Sequence, residues 1–345
     1  MNARIFVTAV SGVLLASALC TAKLILTRDV TDAGQSCYKV ETDGGTFFLD
    51  KVGAGLTSLV DKNGNDWIKF GESGGTEWNG FPNAVWSGCC NNPRGYFHPK
   101  NGATSPSTTT VTTETSQKIS ISAISNDNEW ALTYDFFSTH LTITFTKKSA
   151  TGKYWVVYEG PPGGSFDLNS DWWMTSAADK KNLLSVQNTT DIPTKEWIAF
   201  GDAGSPRCLF LLNHKDDNLV DGYFPLSPFT VFGFGRSNNP YNATLNDVPH
   251  SFSIGFLETT DYQNVGVAMD NLLAGRAPTW GTSGAIKTPG SLPMASRIVR
   301  TEYYGLNGQQ LEVRNGLAHA PARSIVIVQH VDQQGIGHMR KLVSR

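Results

Sequence analysis

The chain of 345 residues is short of charge, of cysteine and of helix-like patterning. Charged residues make up 17%, below the usual quarter of a globular protein. The formal net charge of −2 excludes a globally basic nucleic-acid binder. Past the N-terminus no run approaches the roughly 18 apolar residues of a membrane helix, so no membrane span is expected. Five cysteines include no CxxC pair, which argues against the common zinc frameworks. There is no Gly-x-Ser-x-Gly elbow for an esterase. There is no Walker or dinucleotide loop either, since Gly233-Phe234-Gly235 follows a strand and leads into no helix. No repeat of fixed period appears, which weighs against a propeller or solenoid.

What is present is β-rich and turn-rich: 34 Gly, 9 Trp, 10 Tyr and 18 Phe within a 40% hydrophobic composition. Residues 1–22 read as a secretory signal peptide, with Arg4 as the only charge, an apolar core from Ile5 to Leu19, and small residues before Lys23. Export permits disulfides. Cleavage leaves Cys37, Cys89, Cys90 and Cys208, whose connectivity spacing does not choose, although bonding geometry disfavours pairing of the adjacent Cys89 and Cys90. Residues 281–296 have linker composition. The tail from Arg297 holds seven Lys/Arg against three Asp/Glu, net +4, whereas residues 23–296 carry 20 basic and 27 acidic side chains, net −7.

The tail reads as short strands around Tyr304-Gly305-Leu306-Asn307-Gly308-Gln309-Gln310-Leu311, a strand ending in Ile327-Val328, and a terminal Lys341-Leu342-Val343. This pattern resembles the C-terminal sorting domains of the type IX secretion system over residues 297–345. Ala318–Arg323 departs from it, where such tails have a tighter Gly-containing entry to the strand. The resemblance implies a Gram-negative source, a secreted or cell-surface location, and a tail that partners the secretion machinery with no part in catalysis.

Residues 23–280 form the body. Strand follows strand, among them Tyr38–Thr42, Thr46–Asp50, Leu56–Val60 and the ranges 108–114, 117–124, 129–136, 139–147, 153–159, 207–213, 229–234 and 251–257. Many alternate with period two. Asp61–Asp66 holds an Asn-Gly hairpin signal, and helix spacing is convincing only at 261–274. The expected fold is all-β: a large antiparallel β-sandwich with a small C-terminal β appendage. The opening Tyr38-x-Val40, Asp66-Trp67-Ile68, Tyr154-Trp155-Val156-Val157-Tyr158-Glu159-Gly160-Pro161-Pro162-Gly163-Gly164 and Phe232-Gly233-Phe234-Gly235-Arg236 give the body a resemblance to the large β-sandwiches of the galactose-mutarotase-like class. That class includes sugar epimerases and domains of polysaccharide lyases and hydrolases. The resemblance implies the fold more firmly than any reaction.

Four segments concentrate polar and aromatic residues: 78–99, the Glu159 loop with Trp172-Trp173 beyond it, 214–224, and 233–236. Aromatic faces suit the C–H groups of sugar rings, while amides and carboxylates suit the hydroxyls. Asn83, Trp78, Trp86, Arg94, Tyr96, Trp172, Trp173 and Asp217 are therefore candidate substrate contacts. A lyase acting on a uronic-acid-containing polysaccharide needs a base at C5 and a cation for the developing charge. His98 or His214 would be the base, Tyr223 or Tyr96 the proton donor, and Arg236 or Arg94 the carboxylate clamp. A glycoside hydrolase would instead pair Glu159 with Asp217 or Asp221. A non-catalytic carbohydrate-binding protein would use the same aromatics. No cofactor is expected; a Ca²⁺ at Asp216, Asp217 and Asp221 is the weaker alternative to a solvated turn.

Overall fold

A computed structural model describes residues 22–71, 76–187, 190–238 and 241–280, together with the backbone of five strands in the tail. The expected leader (except its last residue) and the linker 281–296 lie outside the described residues. The chain divides into two compact units, Met1–Gly281 and Thr282–Arg345.

The larger unit is an all-β sandwich. Its strands are β1 (Leu24–Asp32), β2 (Gln35–Thr42), β3 (Thr46–Asp50), β4 (Leu56–Val60), β5 (Ser107–Glu114), β6 (Ile119–Ser125), β7 (Ala131–Phe136), β8 (His140–Lys147) and β9 (Val156–Gly160). There follow β10 (Asp171–Thr175), β11 (Ala178–Asn182), β12 (Trp197–Asp202), β13 (Cys208–Asn213), β14 (Gly222–Leu226), β15 (Phe229–Phe234), β16 (Arg236–Asn238), β17 (Tyr241–Ala243) and β18 (His250–Leu257). Among the described residues α1 (Tyr262–Leu273) is the one α-helix.

One layer is a nine-stranded antiparallel sheet in the order β11-β10-β12-β13-β18-β8-β7-β6-β5. The other layer joins the four-stranded sheet β1-β2-β3-β4 to the three-stranded sheet β14-β15-β9. The join is the extended segment 80–84, read from sequence as loop. Leu56 N–H donates to Phe81 O, Gly80 and Glu159 exchange both backbone bonds, and Val157 N–H donates to Pro82 O. This segment thus lies between β4 and β9 and satisfies the backbone groups of two sheet edges that would otherwise be exposed.

Period-two alternation sorts each strand. Phe47 and Phe136 meet edge to face at 5.5 Å, while Phe200 and Tyr158 at 5.4 Å and Phe234 and Phe252 at 5.7 Å are tilted pairs, so aromatic pairs span the core between the layers. Strands β10, β12 and β13 are buried on both faces. Their second face carries Trp172, Met174, Phe210 and Leu212, which pack on Val265, Ala268, Met269 and Leu272 of α1. The remaining outer face, over β6, β7, β8 and β18, is a hydroxyl ladder that includes Thr142–Ser253 at 2.7 Å and Thr144–Ser251 at 2.9 Å.

Two expectations are corrected here. Trp172 and Trp173, expected as substrate contacts, belong to strand β10, and both are buried. Cys89 and Cys90 are bonded to each other, while Cys37 and Cys208 are free and buried. Cys90 and Asn91 have φ of 61° and 64°, a left-handed turn that carries the two sulfurs to one side of the chain.

In the smaller unit, β19 (Arg300–Gly305), β22 (Ile325–Val331) and β23 (Gly337–Val343) form an antiparallel sheet in the order β19-β22-β23. A short ladder joins β20 (Val313–Arg314) to β21 (Leu317–Ala318). Among the described residues no helix is long and apolar enough to cross a membrane.

Candidate functional site

The outer face of β9-β15-β14 holds the candidate site. Register puts Glu159 opposite Val231, and Val231 opposite Phe224, in one cross-strand row. The next row is Val157, Gly233 and Gly222. A Cβ at Gly233 would stand 2.7 Å from both Arg236 Cβ and Val157 Cγ2. The absent side chain is therefore what lets Arg236 fold back across the sheet. Its guanidinium lies 4.6 Å from the Phe224 ring centre and 5.6 Å from that of Trp155. Arg236 is 4% exposed and Glu159 9% exposed, so the two act on each other through protein more than through water.

Asn83 supplies the third member. At φ 41° it breaks the two-residue alternation of segment 80–84, which asparagine tolerates better than most residues. Its side-chain amide donates to Glu159 Oε2, and its backbone carbonyl accepts Trp155 Nε1–H at 2.7 Å. Burial pushes the Glu159 carboxyl up to about 7, against the opposing pull of Arg236 and the Asn83 hydrogen bond. The carboxyl therefore exchanges its proton near neutrality, the condition for acid–base work.

Asn83 also lines a cavity of about 220 Å³ with Trp78, Val85, Trp86, Tyr96, His98 and Thr104 among its walls. Trp78 and Trp86 are half-buried, their rings 5.1 Å apart and tilted by 44°. Antiparallel bonding between Val85 and Tyr96 holds the cavity's frame. The Cys89–Cys90 turn packs against the same aromatic cluster and is tied to β17, where Ala243 N–H points to Cys90 Sγ at 3.0 Å.

The sequence-derived candidates fall into separate groups. Asn83, Trp86, Tyr96, His98, Glu159 and Arg236 gather at or beside this cavity. His98 is there as a brace: its ring nitrogens lie 2.9 Å from Trp78 O and 2.7 Å from Pro99 O, and burial lowers its pKa. Tyr96 turns its hydroxyl away to Asn126 and Asp127, and burial raises its pKa to about 12. Arg94 is exposed and helps to hold the Asp127 carboxyl below its usual range.

Others lie elsewhere. Tyr223 is fully buried between the layers, 4.8 Å from the Trp173 ring, and its hydroxyl donates to Leu183 O, so it reaches no ligand. Trp172 lies across Gly201, a packing residue under α1. His214 donates to or accepts from Ser253 Oγ at 2.8 Å on the outer face of the nine-stranded sheet, on the opposite layer from Glu159. Asp217 sits at the end of β13, where its backbone N–H donates to Glu196. Asp221 spends its carboxylate on the backbone N–H groups of Gly235 and Ile192.

Residues that sequence reading passed over include Trp155, Phe224 and Gly233 around Arg236. Period two in the run Val156–Gly160 carries that signal, since it puts Glu159 on the face of Val157 and opposite to Tyr158. A second polar cluster contains Asp217 of the expected Ca²⁺ alternative but, in place of Asp216 and Asp221, Asp191 and Glu196: the three place carboxylate oxygens within 4.8 Å of one another, a set that could hold a cation. Two of its carboxyls are raised, Glu196 to about 8, by burial foremost and by the neighbouring acids.

No family model and no curated protein matches this chain. A solved structure described as a crystal structure analysis of HI1317 is similar at a TM-score of 0.45 and 14% identity, covering 68% of this chain and 100% of that one.

Proposed function

We propose that this is a secreted carbohydrate-recognising protein that engages polysaccharide at the Trp78–Trp86 cavity. The observation that carries the reading is that pair of half-buried indoles at one cavity, backed by Asn83 and the Asn83–Glu159–Arg236 arrangement. Indole faces take the C–H side of a sugar ring, and a small number of fixed polar groups orient it. The leader and the sorting-like tail read from the sequence complete the proposal: export to the medium or the cell surface, with the tail as the address. The test is retention on a panel of pectin, alginate, glucuronan and xylan, with tryptophan fluorescence as a second readout. Binding to at least one polymer, lost in Trp86→Ala with the thermal melt unchanged, is the expected result. Wild-type protein that is retained by none of them, and whose fluorescence none of them quenches, removes the reading.

A second reading, bond cleavage, is favoured by the near-neutral Glu159 carboxyl beside the cavity. Glu159 would act as the acid or base. The base proposed for β-elimination is less well supplied, since both nitrogens of His98 face backbone carbonyls and His214 lies on the other layer. Absorbance of unsaturated uronate together with new reducing ends marks a lyase; reducing ends alone mark a hydrolase. Either signal should vanish in Glu159→Gln. Neither signal in the wild type leaves recognition without cleavage.

A further inference from the structure

We infer that the cavity selects a single uncharged sugar residue and discriminates against uronates, an inference that rests on the carbohydrate reading above. The cavity wall is electrically silent. Of its eleven lining residues among those described none is Asp, Glu, Lys or Arg, and burial lowers the pKa of the His98 ring, whose two nitrogens face backbone carbonyls. Of the cations close by, Arg94 is drawn to the Tyr96 hydroxyl and the Asp127 carboxyl, and two more are committed. Arg236 is buried over Phe224 and Trp155 against Glu159 and does not line the cavity. Lys100 donates to the carbonyls of Asn101 and Thr104. A sugar carboxylate entering here would lose water and meet no charge partner, which disfavours an unpaired ion.

What the wall does offer suits hydroxyls and C–H faces. Asn83 gives one amide N–H to Glu159, which leaves its second N–H as a donor and its carbonyl as an acceptor. Ser87 is exposed at the rim with both donor and acceptor capacity. The volume of about 220 Å³ is below the roughly 300–1,000 Å³ of sites that enclose drug-sized ligands. It admits one ring, so a polymer is met at a chain end or a branch residue and not along a groove.

The experiment uses the full chain and tryptophan fluorescence. Neutral monosaccharides (glucose, galactose, mannose, xylose) and the matching uronates (glucuronate, galacturonate, mannuronate) are titrated in low and high salt. At least one neutral sugar is expected to bind ten-fold or more tightly than its uronate, with affinity unchanged by salt because no ion pair forms. In Ser87→Arg, a substitution at an exposed rim position whose thermal melt is checked beside the wild type, uronate binding should rise at least ten-fold and become salt-sensitive. Uronates that bind the wild type as well as neutral sugars, or salt-sensitive binding in the wild type, overturn the inference while leaving the carbohydrate reading standing. Failure of every neutral sugar, with polymer retention intact, overturns it too. Failure of every sugar and every polymer removes both.

Discussion

Arg236 and Glu159 show how a single missing Cβ sets up a chemical site. Gly233 leaves the trough, Arg236 lies in it, and the guanidinium then makes an ionised Glu159 less costly to bury. Replacing Arg236 with methionine keeps length and apolar packing but removes the charge. Glu159 must then remain protonated well above pH 7. At pH 5.5 the carboxyl is neutral in both proteins, and only packing differs. At pH 8 the wild type gains from ionising a group that titrates at about 7, and the variant does not. Arg236→Met should therefore be more destabilised at pH 8 than at pH 5.5 by about 1.4 kcal/mol. Urea unfolding at the two pH values checks this, and an equal loss at both would mean that Arg236 does not act on Glu159.

At the scale of elements, β10 is instructive because its sequence looks like a binding loop. Trp172 pairs in register with Gly201 of β12, and a Cβ at Gly201 would lie 2.1 Å from the Trp172 ring. The indole is 8% exposed and Lys180 covers it at 4.5 Å. Gly201→Ala should push Trp172 out of its slot and cost about 1–3 kcal/mol, the usual penalty of overpacking. A lowered denaturant midpoint and a red-shifted tryptophan emission are the expected readouts; a variant as stable as the wild type would sink this view of the β10–β12 pair. The same strand shows where the sequence was readable. Strands with one polar face, such as β7 and β8, announce themselves by alternation. The helix announces itself by Val265, Ala268, Met269 and Leu272 with Asp261 as its N-cap. β10 is buried on both faces, so Trp172-Trp173-Met174 shows no alternation and resembles an aromatic cluster. The site was legible in kind but only partly in membership. Glu159, Asn83, Trp86 and Arg236 come from segments whose composition pointed to a ligand. Nothing in the sequence says that segment 80–84 runs beside β9, because that pairing is non-local, and so nothing there separates His98 from His214.

For the whole molecule, buried carboxyls that keep their protons set the pH dependence. The densest group closes one end of the nine-stranded sheet. His250 lies 3.0 Å from Asp247 and 2.6 Å from Asn213 Oδ1, and Asn213 donates to Glu196 at 2.5 Å. Asp191 and Asp217 flank Glu196, and Asp221 lies buried close by with its own pKa far above the ordinary range. Glu196 is 1% exposed and titrates at about 8 in the fold, against about 4.3 in the unfolded chain. The native state therefore binds more protons than the unfolded one, and stability must fall as pH rises. Glu159 and Asp171 contribute to that fall up to about 7 and Glu196 up to about 8, and the raised Asp221 adds to it in the same direction. The depressed histidines act in the opposite direction and mostly at lower pH: His140, at about 4, costs stability as pH falls through its unfolded value of about 6.5. Between pH 6.5 and 8 that contribution fades and is common to wild type and a Glu196 variant, so the comparison of the two isolates the carboxyl. Across that window Glu196 alone should remove about 1.4 kcal/mol per pH unit, tapering near 8. Glu196→Gln, which keeps the shape and lacks the titration, should show a shallower decline by that amount. Urea midpoints at pH 6.5, 7.25 and 8 for both proteins decide it, because parallel lines would mean that Glu196 is already ionised in the fold.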